Sequence, residues 1–164
     1  QLLGLLDELR GDVQTTIGEL RELAHGIYPP LLRDRGLREA LETAATRSVL
    51  PVSVTADLPA RYPPGAEAAA YFCCLEAMQN AGKYAGPDAE VTVTATAVDN
   101  GLTFEVRDTG PGFDTSTTDY GHGFMNMADR LGALGGILSV VSAPGEGTCI
   151  RGTIPCEALA TAGG

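Results

Sequence analysis

The sequence predicts an α+β fold, a two-layer α/β sandwich with a mixed sheet, preceded by one long N-terminal helix. Three observations point there. Runs with apolar–polar alternation come in hairpin pairs, 91–98 with 102–108 and 137–142 with 148–154. Segments of helical period separate those pairs, as a layered core requires. Strands are not each followed by a crossover helix, which disfavours a doubly wound nucleotide fold.

The elements follow in order. Apolar residues at Leu2, Leu6, Leu9, Val13, Ile17, Leu20, Ala24 and Ile27 recur in steps of three and four, a stripe close to a coiled-coil seam. A helix of that length extends roughly 40 Å, too far for so small a domain to cover, so the stripe predicts pairing with another helix. Pro29 and Pro30 are expected to stop it. A second helix is expected over Leu37–Arg47 and a short strand over Pro51–Leu58. The third helix spans about Ala66–Ala85, before Gly86-Pro87. Asp99-Asn100-Gly101 is a hairpin signal between the next two strands. A loop rich in Gly, Thr and Ser runs from Thr109 to about Tyr120, then a helix from Phe124 to Leu134, ended by Gly135-Gly136. The last hairpin turns through Ala143–Gly147, and Glu157–Gly164 is expected to carry no fixed structure.

Composition narrows the function. The 164 residues carry 11 Lys and Arg against 21 Asp and Glu, a net charge of -10. Such a surface repels phosphate backbones and anionic lipid, which argues against nucleic-acid partners and direct membrane contact. An anionic ligand would need local backbone donors or a metal ion. The four cysteines, Cys73, Cys74, Cys149 and Cys156, have neither metal-ligand nor redox spacing and read as reduced thiols of a cytoplasmic protein.

Four short stretches carry polar chemistry. On the third helix, Tyr71, Cys74, Leu75, Met78, Ala81, Gly82 and Ala85 are expected to face the core. Glu76, Asn80 and Lys83 cluster on the opposite face: a carboxylate, a carboxamide that suits Mg²⁺, and an ammonium that can meet a phosphate. Asp108-Thr109-Gly110-Pro111-Gly112 ends a strand in a carboxylate able to accept a hydrogen bond from a base, then turns through glycines that admit a flat ring. Gly121-His122-Gly123 stands before a helix, whose free amides suit an anion. Gly145-Glu146-Gly147-Thr148 places a hydroxyl after a hairpin turn.

In this order the stretches resemble the nucleotide boxes of the GHKL ATP-binding superfamily, from Gly36 to Pro155. Within it, LRELAHGIYPPLLRDRGL, EAMQNAGKYA, DTGPGFD, GHGFMNMADRLGALGG and GEGT look most like sensor histidine kinases of the nitrate-sensor-like class. The resemblance implies a Bergerat-type sandwich that binds ATP with Mg²⁺. Asn80 would be the metal ligand, with Lys83 near the phosphates and Glu76 polarising a water or the metal shell. Asp108, supported by Thr148, would take the adenine amino group; Gly110 and Gly112 would line the adenine site; Gly121 and Gly123 would hinge a short lid. It also implies a homodimer through dimerisation helices and a cognate response regulator as partner. Tyr84, Phe124 and Asn126 depart from the pattern of many relatives.

His25 and His122 are the only histidines, and neither matches a phosphoacceptor followed by an acid. Residues 1–30 are therefore expected to be the end of a dimerisation helix and 31–156 the catalytic, ATP-binding domain. On that reading the chain binds ATP without phosphorylating itself, and whether its parent is membrane-anchored stays open. The alternatives are a serine kinase of anti-sigma type or hydrolytic ATPase on the same fold, and a nucleotide-gated dimerisation module without turnover.

Overall fold

The computed structural model describes residues 29–114 and 121–159. The expected long helix over residues 1–28, His25, the loop at 115–120, the His122 side chain and residues 160–164 lie outside the described residues. Among the described residues two helices come first, α1 (Pro30–Arg35) and α2 (Leu37–Thr46), then β1 (Val52–Asp57) and the long α3 (Pro64–Tyr84). The hairpin β2 (Val91–Val98) and β3 (Gly101–Asp108) follows, then α4 (Gly121–Gly132), β4 (Ile137–Ser142) and β5 (Thr148–Pro155).

Among the described residues five strands form one mixed sheet in the order β1-β2-β3-β5-β4. Only β1 and β2 run parallel, joined across α3; the other neighbours are antiparallel. Inward positions of β2, β3 and β5 supply Val91, Val93, Ala95, Leu102, Phe104, Val106, Ile150 and Ile154, all buried. Phe104 lies between Ala95 and Gly152 in the register. A Cβ on Gly152 would strike the Phe104 ring and stand 2.8 Å from Leu131 Cδ1. The glycine there makes room for the largest side chain in the layer.

Two expectations need correction. Pro30 does not simply end a helix; it opens α1 as its first residue, the position where a missing N–H costs no hydrogen bond. The core face of α3 is also turned by about a quarter of a circle at 100° per residue. It runs through Ala66, Ala69, Ala70, Cys73, Cys74, Ala77, Met78 and Ala81, while Tyr71 and Leu75 are half-buried. Small side chains, not the largest ones, let this helix lie close on the sheet. Glu76 and Asn80 consequently border the buried stripe and are half-buried, with Lys83 exposed. Among the described residues no helix is long and apolar enough to cross a membrane.

On the outer face, Glu105 accepts from Arg151 Nη2 at 2.7 Å and from Arg107 Nη2 at 2.5 Å. Arg151 first and then Arg107 hold its carboxyl well down, from the ordinary 4.5 to about 2. A depressed carboxylate stabilises the folded chain above its ordinary value and loses that contribution as pH falls toward the depressed one. Urea midpoints measured between about pH 4.5 and pH 2 should therefore fall less steeply in Glu105→Gln than in the parent chain. Identical slopes would show that the two arginines do not stabilise the folded carboxylate.

Candidate functional site

β3 ends on Asp108, paired with Val91 on one side and Thr148 on the other. The chain then turns sharply, and the Gly110 amide donates to Asp108 Oδ1 at 2.9 Å, a turn in which a short acidic side chain replaces a backbone carbonyl. One carboxylate oxygen is thus spent on orientation, and the second is the acceptor a ligand can use. Thr109 fixes the other edge: its Oγ1 accepts from the Glu90 amide at 2.9 Å.

Three glycines allow backbone to rest on backbone here. A Cβ on Gly110 would stand 2.7 Å from Ala85 Cα and 2.9 Å from Ala85 O, at the C-terminus of α3. At Gly112, φ is +67°, and a Cβ would collide with Ala143 O and stand 2.8 Å from Gly147 O. Gly147, at φ +72°, lies against Asp108 O. The Gly145 amide also donates to Pro111 O at 2.6 Å. The DxGxG turn, the β4–β5 turn and the end of α3 therefore form one packed unit.

Sequence reasoning missed Ser142, the hub of that unit. Its Oγ accepts from the Phe113 amide at 2.9 Å, donates to Gly147 O at 2.9 Å and lies 2.9 Å from Thr148 Oγ1. A hydroxyl has one proton. With that of Ser142 given to Gly147, Thr148 is the donor of the pair, which leaves Thr148 with only acceptor lone pairs for a ligand. Only its place one strand-end before the GEGT turn could have singled Ser142 out.

Glu76, Asn80 and Lys83 reach this unit through α3. Ala85, which touches Gly110, is five residues past Asn80, about 7.5 Å along the axis. The other wall is α4. The Cys73 thiol points to Met127 O at 3.9 Å, the Arg130 guanidinium stands 4.9 Å from the centre of the Phe72 ring, and Leu134 reaches to within 3.9 Å of a Cβ on Gly65. These pairings run in opposite senses along the two helices, which places the N-terminus of α4 toward the Glu76–Asn80 stretch. Gly121 and Gly123 lie in the first turn of α4 instead of before it, three residues earlier than the sequence reading set the start. Their amides belong to the set without intrahelical partners.

The Cys73 thiol is pushed up to about 12, chiefly by burial, so it stays protonated beside Glu76, a packing group and weak donor to Met127 O. Among the described residues no three His, Cys, Asp or Glu side chains gather to hold a metal. One carboxamide with a carboxylate a turn away instead fits a hard cation that keeps its waters and arrives with a phosphate ligand. Tyr84 follows Lys83 and is 75% exposed, an aromatic surface free to meet a flat ring. A depression of about 310 Å³ opens between Ala85–Ala89 and Thr109–Pro111. Neither Asn80 nor Asp108 lines it, so it is the outer side of the Gly110–Ala85 contact.

The sequence profile of the family described as histidine kinase-, DNA gyrase B-, and HSP90-like ATPase matches residues 65–158. The chain is 27% identical over 154 residues to the signal transduction histidine-protein kinase/phosphatase DegS of Brevibacillus brevis, covering 90% of this chain and 40% of that protein. It is 26% identical over 155 residues to the sensor histidine kinase LiaS of Bacillus subtilis (strain 168), covering 92% and 42%. The chain thus spans less than half the length of these curated relatives. Among solved structures, the blue-light activated histidine kinase of Erythrobacter litoralis EL346 superposes with a TM-score of 0.63 at 22% identity, over 73% of this chain and 41% of that one. Full-length ShkA in complex with AMPPNP superposes at 0.59 and 23% identity, over 80% and 30%. At such identities these two likenesses establish the fold.

The close approach of Gly110 is open to a direct test. Gly110→Ala should lower stability by about 1–3 kcal/mol in denaturant melts, because backbone must move. Gly132→Ala, where a Cβ meets nothing within 4 Å, should be neutral or stabilising by up to about 1 kcal/mol. Equal effects would mean that Gly110 is not packed against α3.

Proposed function

The chain belongs to the histidine kinase-, DNA gyrase B-, and HSP90-like ATPase family, and within it we propose that residues 31–156 are the catalytic, ATP-binding domain of a two-component sensor histidine kinase of the nitrate-sensor-like class. The observation that carries this reading is the Gly110–Ala85 contact, which binds the strand end bearing Asp108 to the helix bearing Glu76, Asn80 and Lys83. A ligand that satisfies both must carry a hydrogen-bonding ring at one end and concentrated negative charge at the other. Mg·ATP has that form.

On this reading Asp108 accepts from the exocyclic amino group of adenine, and Thr148 adds a second acceptor. Gly110 and Gly112 line the ring with backbone held in place by their contacts to Ala85, Ala143 and Gly147, and exposed Tyr84 is available to stack on it. Lys83 and the first amides of α4, those of Gly121 and Gly123 included, draw the phosphates. Asn80 would hold Mg²⁺, which when bound neutralises phosphate charge that this acidic chain otherwise repels. Glu76, one turn before Asn80, orients a water or the attacking group. The reaction is transfer of the γ-phosphoryl to a histidine nitrogen on a dimerisation helix outside this domain, in a homodimer, for relay to a response-regulator aspartate. Positioning and charge neutralisation supply most of the rate.

Nucleotide titrations separate the assigned roles. Asp108→Ala removes a charge-assisted bond and should weaken ATP binding by about ten- to a hundredfold. Asn80→Ala should weaken binding more with Mg²⁺ than with the metal chelated. Equal losses in the two conditions would remove Asn80 from the metal, and an unchanged Asp108→Ala affinity would remove the adenine assignment.

A further inference from the structure

Glu67 is a carboxylate 2% exposed in the first turn of α3, set among Ala66, Ala69 and Ala70. Burying such a charge is costly unless it is paired in good geometry. Arg61 supplies the pairing with two parallel bonds, Nε to Oε2 at 3.0 Å and Nη2 to Oε1 at 2.9 Å. The Tyr62 amide adds a third donor at 3.4 Å.

The same guanidinium also turns outward. Arg61 Nη2 lies 3.0 Å from both Leu32 O and Arg33 O, carbonyls near the C-terminus of α1, where the dipole is negative; Leu32 O also accepts from the Gly36 amide. Six residues are too few to hold a helix in water unaided, and α1 depends on this cap and on Leu32, which is fully buried. Gly36, between α1 and α2 with φ +98°, has the backbone freedom of a hinge. Yet a Cβ there would stand 3.3 Å from Arg61 Cδ and Nε: the arm of the clamp lies across it. The Arg61 carbonyl meanwhile accepts from the Leu159 amide at 2.8 Å, so the chain beyond β5 ends on the same residue, and residues 157–159 are not the free tail that composition suggested.

We infer that Arg61 is a positioning residue: by gripping buried Glu67 and the α1 carbonyls together, it makes α1 and Gly36 part of the ATP-binding body, so that Gly36 does not act as a joint. Only the consequence rests on the function proposed above. A nucleotide carried by this body then faces its acceptor at an angle set by α1, and loosening α1 slows phosphoryl delivery without weakening nucleotide binding. Lysine cannot substitute: its ammonium ends one bond short of the Nη2 position and has no second donor for the parallel Nε bond to Glu67 Oε2.

Removing Arg61 alone would strand a buried carboxylate, so the test uses Arg61→Met/Glu67→Met, which removes both charges and keeps apolar volume, with Arg61→Lys beside it. Hydrogen–deuterium exchange on the whole chain reads the Arg33 and Gly36 amides, which bond Pro29 O and Leu32 O. Exchange there should quicken by about tenfold or more in both variants while β2 and β3 amides keep their protection, and ATP affinity should stay within about twofold of the parent. Unchanged exchange at Arg33 and Gly36, or loosening of α1 and the sheet together, would overturn the inference. If the double variant does not fold, Arg61→Lys decides alone by the same amides. A parent chain that binds no ATP would instead sink the functional reading and leave the clamp standing.

Discussion

Backbone lying directly on backbone is the constraint on which the candidate site depends. Gly110 on Ala85, Gly112 on Ala143 and Gly147 on Asp108 bring three segments together at distances that no side chain survives. Without those approaches the carboxylate of Asp108 would end a strand at the sheet margin, and the polar residues of α3 would face solvent several ångströms away. With them, the strand end bearing the carboxylate, a pair of bonded hydroxyls and the C-terminal end of α3 meet in one packed unit. Ser142 completes the unit by linking Phe113, Gly147 and Thr148 through one oxygen.

The remainder of the fold holds those segments level. α3 can lie close on the sheet because its buried stripe is mostly Ala and Cys, and α4 is locked antiparallel beside it through Cys73–Met127 and Phe72–Arg130. At the opposite end of α3, Arg61 and Glu67 tie its first turn to α1. The long helix is thus fixed at both ends, by an ion pair at one and a glycine contact at the other. A helix held in this way fixes where Glu76 and Asn80 stand along α3 relative to the Ala85–Gly110 contact. That rigidity fits a site whose chemistry is positioning rather than covalent catalysis.

Much of this was legible in the sequence, for identifiable reasons. Both hairpins, the helix α3 and the turn glycines came from alternation and punctuation, which report local backbone needs directly. The motif order gave the family, although the individual motifs are short. What was not legible depended on distance in the fold. The two glycine contacts made by 110 and 112 involve residues 25 or more positions away, so sequence could mark the glycines but not their partners. The facing of α3 was misjudged because large apolar residues drew the stripe toward Tyr71 and Leu75, whereas close packing chose the small ones. Glu67 carries no signal in the sequence, because its burial depends on an arginine outside its helix. α1 was hidden by reading Pro30 as a terminator when it is equally suited to begin a helix.

The central claim is that the Asp108 turn and the Asn80 face of α3 close on the two ends of one nucleotide. A crystal structure of the chain grown with Mg²⁺ and a non-hydrolysable ATP analogue tests it most directly. The account predicts an adenine amino group within about 3 Å of the Asp108 carboxylate and the phosphates, with their metal, beside the Asn80 carboxamide. A nucleotide seated elsewhere, or Asp108 and Asn80 opening onto separate surfaces with nothing between them, would contradict it.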